Sequence, residues 1–499
     1  MHDLLPHISE SLSHVLGSIG YFVPEVYLAL LFIVVLITDL IFGKRSTQLC
    51  RIIACAGMVL IMFKDLQQVA LVVDGEHFIF SNMLLLSRSG IFFKLSIDVL
   101  SFILLLYFTW DNKLNAHQKG LSDLYSITMA SILGLHLMIM AVNLLSIYLA
   151  IELVSLASYL MVAYRTENAF STEAGLKYVL FGAASSAIML YGISLLYGFS
   201  GSLDIAFQTS IIQLSKVNPI SSSFAVILVL IGIGFKLSFV PVHFWVPDVY
   251  QGASTPITAY LSTVPKIAAF ALLINFLPPF LLSPQWKGFD MGIILSAAGI
   301  VTMIAGNFAA VMQTNVKRML AYSSIGHTGF ALMAVVVLTL QGVSAITYYL
   351  LVYAVANIGA LALASYFTNE TGAEDVEHYR GLGLKYPIAS VCFVIILISL
   401  TGLPVTAGFT GKLFVFSAVY AVYQQTHNIW LMLLMVTGAL TTVVSLFYYI
   451  KIPLNLFLKR KEMPEIKAVK SMNLLILSII ISFLLILLGI FPDFVLRYL

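Results

Sequence analysis

Residues 232–248 read GIGFKLSFVPVHFWVPD. The stretch lies inside a long apolar run, yet it carries Lys236 where that run should be most hydrophobic. Pro241 follows five residues later, then His243 and Trp245, and Pro247 and Asp248 close the segment. A buried charge and a broken helix are both costly at membrane depth, so their coincidence marks a functional position.

The surrounding chain sets that depth. Of 499 residues, 60% are hydrophobic and 10% charged, whereas a soluble domain carries about 25% charged residues. Mean hydropathy is +0.99. These values exclude a soluble core and imply an all-α polytopic membrane protein whose surroundings are the lipid bilayer. The net charge of +3 points to no nucleic-acid partner, because the basic residues are scattered over loops. Cys50, Cys55 and Cys392 form no CxxC pair, no metal-ligand spacing and no disulfide framework, and read as small apolar residues. The N-terminus, MHDLLPHISESL, lacks a basic n-region and a small-residue cleavage site. No removable signal peptide is expected, and the first span serves as the insertion signal.

About 20 apolar residues cross a hydrocarbon core of about 30 Å. Fourteen such spans are expected, at 22–42, 49–65, 91–110, 124–142, 143–164, 172–199, 222–246, 256–279, 291–311, 317–339, 342–367, 386–420, 429–450 and 471–496. Alternate loops collect most basic residues: Lys44, Arg45, Arg51, Lys113, Lys119, Arg165, Lys317, Arg318, Arg380, Lys385, Lys451, Lys459, Arg460, Lys461, Lys467 and Lys470. The other side holds Lys64, Arg88, Lys94, Lys216, Lys287 and Arg497. The first set is therefore expected in the cytoplasm and both termini in the periplasm, as in a bacterial inner membrane. The acidic loop at 368–385 reads as a solvated connector. The lysine-rich loop at 451–470 suits anionic headgroups or a cytoplasmic partner.

Lys177, Lys236, Lys266 and Lys412 fall inside spans. Lys236, Lys266 and Lys412 are central in theirs, and a lysine at a helix centre costs about 3 kcal/mol on insertion scales. Lys177 lies nearer an end, within reach of the surface. Glu152, in YLAIELVSLASYL, shares a helix face with Ser155 and Tyr159. Burial disfavours a charged ammonium and a nearby carboxylate favours it, so a lysine between the two can take up and lose a proton. His243 adjoins the break, His327 sits among small hydroxyl residues in AYSSIGHTGF, and His136 reads as a packing histidine. No histidine pairing suggests a haem.

Spans seven and twelve share a design: a long apolar helix, an interruption (Pro241; Pro404 with Gly402 and Gly408) and one central lysine. An offset of five spans reverses orientation. Two inverted five-helix repeats are thus expected, spans 4–8 and 9–13, with helices 7 and 12 broken. The expected units are 1–123 (helices 1–3), 124–279 (first repeat), 291–450 (second repeat) and 451–499 (basic loop and helix 14). The chain has no GxGxxG, P-loop or iron–sulfur cysteine set, so no flavin, cluster or nucleotide is expected on it.

IELVSLASYL with Glu152, GLKYVLFGA with Lys177, FKLSFVPVHFWVPDVYQGASTP with Lys236 and His243, VPKIAAF with Lys266, KRMLAYSSIGH with His327 and GFTGKLFVF with Lys412 together resemble subunit N (subunit 2) of proton-pumping NADH:quinone oxidoreductase. This is respiratory complex I, whose antiporter-like subunits are related to Mrp. The resemblance covers essentially the whole chain. A glutamate in place of Lys412 would suit the M-like subunit, and the L-like subunit carries an extra lateral helix. The resemblance implies a proton-translocating subunit of the membrane arm, without cofactors of its own. Flavin and iron–sulfur clusters would belong to other subunits, and M-like and K-like subunits would be neighbours. Glu152, Lys236, Lys266 and Lys412 would form its proton relay, with Lys177, His243 and His327 accessory. A Glu152–Lys236 pair would hold Lys236 protonated, and His243 would pass its proton toward Lys266 and Lys412. The alternative is a subunit of an Mrp-type cation/proton antiporter without redox coupling.

Overall fold

The architecture is that of a computed structural model, which describes residues 12–13, 15–43, 46–73, 75–117, 119–459 and 471–497. The reading of the extreme N-terminus and the placements of Lys44, Arg45, Arg460, Lys461, Lys467 and Lys470 lie outside the described residues.

Twelve helices among the described residues are long and apolar enough to cross a membrane. In order, the helices that build the fold are α1 (Val23–Phe42), α2 (Thr47–Gln68), α3 (Arg88–Tyr107), α4 (Ser122–Met140), α5 (Leu144–Val162), α6 (Ala169–Ser200), α7 (Pro219–Leu237) and α8 (Trp245–Gly252). They continue with α9 (Thr255–Phe276), α10 (Met291–Val311), α11 (Val316–Val337), α12 (Leu340–Thr371), α13 (Pro387–Thr401), α14 (Ala407–Thr426), α15 (Ile429–Tyr449) and α16 (Met472–Ile490). α2 has the length of a span but carries Arg51, Lys64 and Asp65. α7 with α8, and α13 with α14, are the two interrupted spans. The seventh does not run on to 246 as one rod: it stops at Leu237 and resumes at Trp245. A small hairpin absent from the sequence reading, β1 (His77–Ile79) antiparallel to β2 (Leu84–Leu86), joins α2 to α3 with Phe78 opposite Leu85.

The helix starts are written in the sequence. Asn143, Asn168, Asn218, Asp290, Asn315 and Asn428 each accept a hydrogen bond from a first-turn amide, a cap worth about 1 kcal/mol. Pro219, Pro256 and Pro387 occupy first-turn positions that need no amide hydrogen. Burial sorts the helices into centre and rim. The most apolar windows of α9, α11 and α12 are 94, 89 and 94% buried, against 28, 33 and 28% for α1, α6 and α15. α9, α11 and α12 are therefore the core against which the other helices pack. α10 meets α11 backbone to backbone, since a Cβ on Gly306 would lie 2.4 Å from the Gly326 amide nitrogen.

One cavity of about 150 Å³ gathers Asp111, Lys113, Arg165, Gly252, Lys317 and Glu374 on one face of the bundle. Lys113, Arg165 and Lys317, expected on a common side from the basic-loop pattern, thus share a face. α8 ends at this face, and α13 begins shortly after Tyr379, which lines the same cavity. The two broken spans therefore run through the bundle in opposite senses.

Candidate functional site

The break after α7 frees backbone groups, and side chains recover them. Ser238 takes a left-handed conformation (φ 62°), the Val240 amide donates to Thr302 Oγ1 at 2.9 Å, and Trp245 Nε1 donates to the Phe235 carbonyl at 3.1 Å. Lys236 lies in the last turn of α7, at the negative end of its dipole. Its Nζ is buried, has no hydrogen-bond partner among the described residues, and sits 5.8 Å from the centre of the Tyr178 ring. Tyr178 in turn stacks on Trp245 at 4.5 Å.

Glu152, on α5, is half-buried, with Oε1 enclosed and unpartnered. The expected ion pair with Lys236 is not made, although each group feels the other's charge. The reason lies in the packing. α5 and α7 both pack on α6, and Tyr178 of α6 meets Tyr159 of α5 edge-on at 4.8 Å beside the lysine.

Lys266 follows Pro265 inside α9. The proline lacks an amide hydrogen and leaves the Leu261 carbonyl without its helical donor, and Tyr250 Oη–H donates to it at 3.2 Å. Lys266 Nζ donates to Ser324 Oγ at 2.7 Å, Thr328 Oγ1 at 3.0 Å and the Ser324 carbonyl at 3.1 Å. Its partners are all neutral and all on α11. One turn along from Ser324, His327 holds Tyr349 Oη 2.7 Å from Nδ1 and Tyr449 Oη 3.2 Å from Nε2. His327 lies within electrostatic range of both Lys266 and Lys412. It shares with Lys412 the wall of a cavity of about 10 Å³, close to the space one water needs.

Lys412, near the start of α14, points back to the other half of its broken span. Its Nζ donates to the carbonyl of Thr401, the last residue of α13, at 2.7 Å and to Thr442 Oγ1 at 3.3 Å. Gly402 makes room: its φ is +84°, and a Cβ there would stand 2.7 Å from Lys412 Cδ.

The structure thus brings Lys266, His327 and Lys412 into one neighbourhood, whereas the Lys236 ammonium, one residue before the Leu237 carbonyl that accepts from Thr328, turns to the Tyr178 ring within electrostatic range of Glu152. Lys177 is elsewhere, in a part-exposed network with Glu173 (2.8 Å) and Asp248 (2.8 Å), where Asp248 also meets Arg318 at 2.7 Å. His243 is half-buried beside Phe244, which is 65% exposed, and touches neither Lys236 nor Lys266. One sequence reading needs correction: Lys94, read as a loop residue, is fully buried and ion-paired with Glu25. His136 is fully buried and hydrogen-bonded to Glu25 and Asp98, as a hydrogen-bonded packing histidine is, but its partners are carboxylates. Asp98, mid-span in FFKLSIDVL, was the available signal.

A model of the NADH:quinone oxidoreductase/Mrp antiporter transmembrane family matches residues 141–445. NADH-quinone oxidoreductase subunit N of Chlorobium chlorochromatii is 39% identical over 449 residues, which cover 89% of this chain and 86% of the relative. The chain belongs to the subunit N family. Subunit N of Anaeromyxobacter sp. extends the match to 487 residues at 34% identity, covering 94% and 92% of the two chains. Among solved structures, a chain of respiratory complex I from Thermus thermophilus with bound aureothin superposes with a TM-score of 0.77 at 27% identity, over 95% of this chain and 98% of that one. A chain of the Mrp complex from Dietzia sp. has the same TM-score at 18% identity, over 96% of each chain, and shares the fold alone. The subunit N family, rather than a stand-alone antiporter, is the kinship that the sequence carries, while the fold is common to both.

Proposed function

We propose that this subunit of the NADH:quinone oxidoreductase family moves protons across the membrane through Glu152, Lys236, Lys266, His327 and Lys412. The observation that carries this reading is the placement of His327 within electrostatic range of Lys266 on one side and Lys412 on the other. Imidazole can accept a proton at one nitrogen and give one up at the other. Tyr349 and Tyr449 hold its two nitrogens, and the small cavity opens the ring toward Lys412. Lys236 Nζ has no hydrogen-bond acceptor among the described residues, and in this arrangement it is the member set to release its proton. A closer approach of Glu152 holds it protonated in the alternate state. Lys177 and His243 have supporting rather than relay roles, Lys177 at the Asp248 network.

The two repeats, 124–279 and 291–450, supply one broken helix each, and the opposite senses of α7–α8 and α13–α14 support their inverted relation. Residues 1–123 and 451–499 flank them. M-like and K-like subunits are the neighbours in a multisubunit membrane complex of a bacterial inner membrane, and both termini face the periplasm. Electron transfer from NADH to quinone, with its flavin and iron–sulfur clusters, belongs to other subunits of that complex.

The test is quinone-coupled proton flux in vesicles bearing the assembled complex, with and without sodium. Lys236→Ala and Glu152→Ala are each expected to lower it. Unchanged pumping in both variants would sink the relay, and flux that requires sodium would favour a cation antiporter.

A further inference from the structure

The N-terminal helices hold a second set of buried charges that the relay does not use. Glu25 of α1, Asp65 of α2, Lys94 and Asp98 of α3 and His136 of α4 are all 0% exposed. They close into a ring. Lys94 Nζ lies 2.7 Å from Glu25 Oε1 and 2.9 Å from Asp65 Oδ1. His136 Nδ1 is 3.3 Å from Glu25 Oε1, and its Nε2 is 3.0 Å from Asp98 Oδ1. Asp98 lies close enough to Asp65 for the two carboxyl groups to act on each other, which completes the circle.

Three carboxylates face at most two cations, so the ring carries one negative charge in excess even with His136 protonated. The excess has an address. Asp65–Asp98 is the contact in which acceptor meets acceptor, and Asp65 Oδ2 and Asp98 Oδ2 are buried with no donor among the described residues. Two carboxylates this close do not both stay ionised. Among the described residues no charged side chain of a neighbouring helix is ion-paired with the ring: Lys266 of α9 is held by Ser324 and Thr328, and Glu370 of α12 accepts from the Ser471 amide. α9 offers Tyr260, bonded to Ser131, and α12 offers Ser365, bonded to Tyr107. The one carboxylate of α5, Glu152, interacts with Lys236 instead. Glu25, Asp65 and His136 also have donor atoms within 4.8 Å of one another. The Lys94 ammonium, however, already lies between Glu25 and Asp65 and supplies the cation there.

Among the described residues, Gln68 connects the ring toward solvent. Gln68 accepts from Lys94 Nζ at 2.5 Å and donates to the Tyr21 carbonyl at 2.8 Å. Tyr21 stacks on His77 at 4.9 Å, and both line a surface cavity of about 310 Å³.

We propose that this ring is a second proton-binding site, in which Asp65 and Asp98 share one exchangeable proton that enters and leaves past Gln68. Uptake forms one O–H bond on a carboxylate and neutralises the ring, and release returns the proton to water in the Tyr21–His77 cavity. Infrared spectroscopy of the assembled complex tests this at rest, without turnover, and so separately from the relay. In the unmutated complex, aspartate labelled with carbon-13 at its carboxyl is expected to shift a protonated-acid C=O band at neutral pH. Asp98→Asn is expected to remove that band, Glu152→Gln to keep it, and Gln68→Leu to slow its shift on transfer to heavy water. Absence of any label-sensitive acid band in the unmutated complex overturns the proposal. So does a band that sodium ions abolish, which would make the ring a cation site.

Discussion

Lys412 Nζ donates at 2.7 Å to the carbonyl of Thr401, so a side chain from one half of a broken span seals the backbone end of the other. The geometry depends on Gly402, which is left-handed and lies against the lysine stem. A left-handed alanine costs about 1–2 kcal/mol before any clash, and here its methyl also displaces Lys412. Gly402→Ala is expected to lower thermal stability by at least that amount and to reduce proton flux in assembled vesicles. Wild-type flux from a stably assembled variant would remove Gly402 from the site.

The two histidines are expected to separate. His327 lies between two lysines, whereas His243 lies beside an exposed phenylalanine. Loss of a positioned proton carrier costs about 10²-fold or more. His327→Ala should therefore cut proton flux on that scale while His243→Ala changes it little, read by the same vesicle assay.

Much of this was legible in the chain. Apolar run length set the spans, and Pro241, Gly402 and Pro404 marked both breaks. Lys236, Lys266 and Lys412 stood out because a charge in an apolar run has few explanations. What escaped notice is equally physical. Glu25 and Asp65 sit near helix ends, where a charge costs little in sequence terms, and only the packing of α1 to α4 buries them. Lys94 falls only four residues into the expected span 91–110, where a charge passes for a loop residue; α3 starts at Arg88, six residues before the lysine. Likewise, the distance between Glu152 and Lys236 depends on α6 standing between their helices, which no pattern within either helix records.

Tyr250 offers a clean stability test. Its hydroxyl is the donor that recovers the carbonyl freed by Pro265. Tyr250→Phe preserves the ring and leaves Leu261 oxygen buried without that donor, a loss of about 1–3 kcal/mol. A lowered unfolding temperature is expected, and no change would mean that another group satisfies Leu261.

At the basic face, Glu374 is ion-paired with Lys113. Burial alone would raise the Glu374 carboxyl, but the hydrogen bond and charge of Lys113, with Lys317 behind, hold it below the ordinary carboxylate value. A carboxyl depressed in the folded state stabilises above its unfolded value, about 4.3, and loses that contribution as pH falls through the folded value. Both side chains are about half exposed, so the effect is at most about 1 kcal/mol. Glu374→Gln should make thermal stability less sensitive to acid in that window, and an unaltered pH profile would contradict it.

Both interruptions in the long spans have their outer side chains turned away from the bundle: Phe244 at one and Val405 at the other, each 65% exposed. Each is therefore a short non-helical turn with a side chain on the outside of the bundle. A body seated against Phe244 presses on the same short turn that ends beside Lys236, and one seated against Val405 presses on the turn that Lys412 seals. Force applied at the rim arrives at an ammonium after a few residues of chain, without having to pass through the densely packed centre.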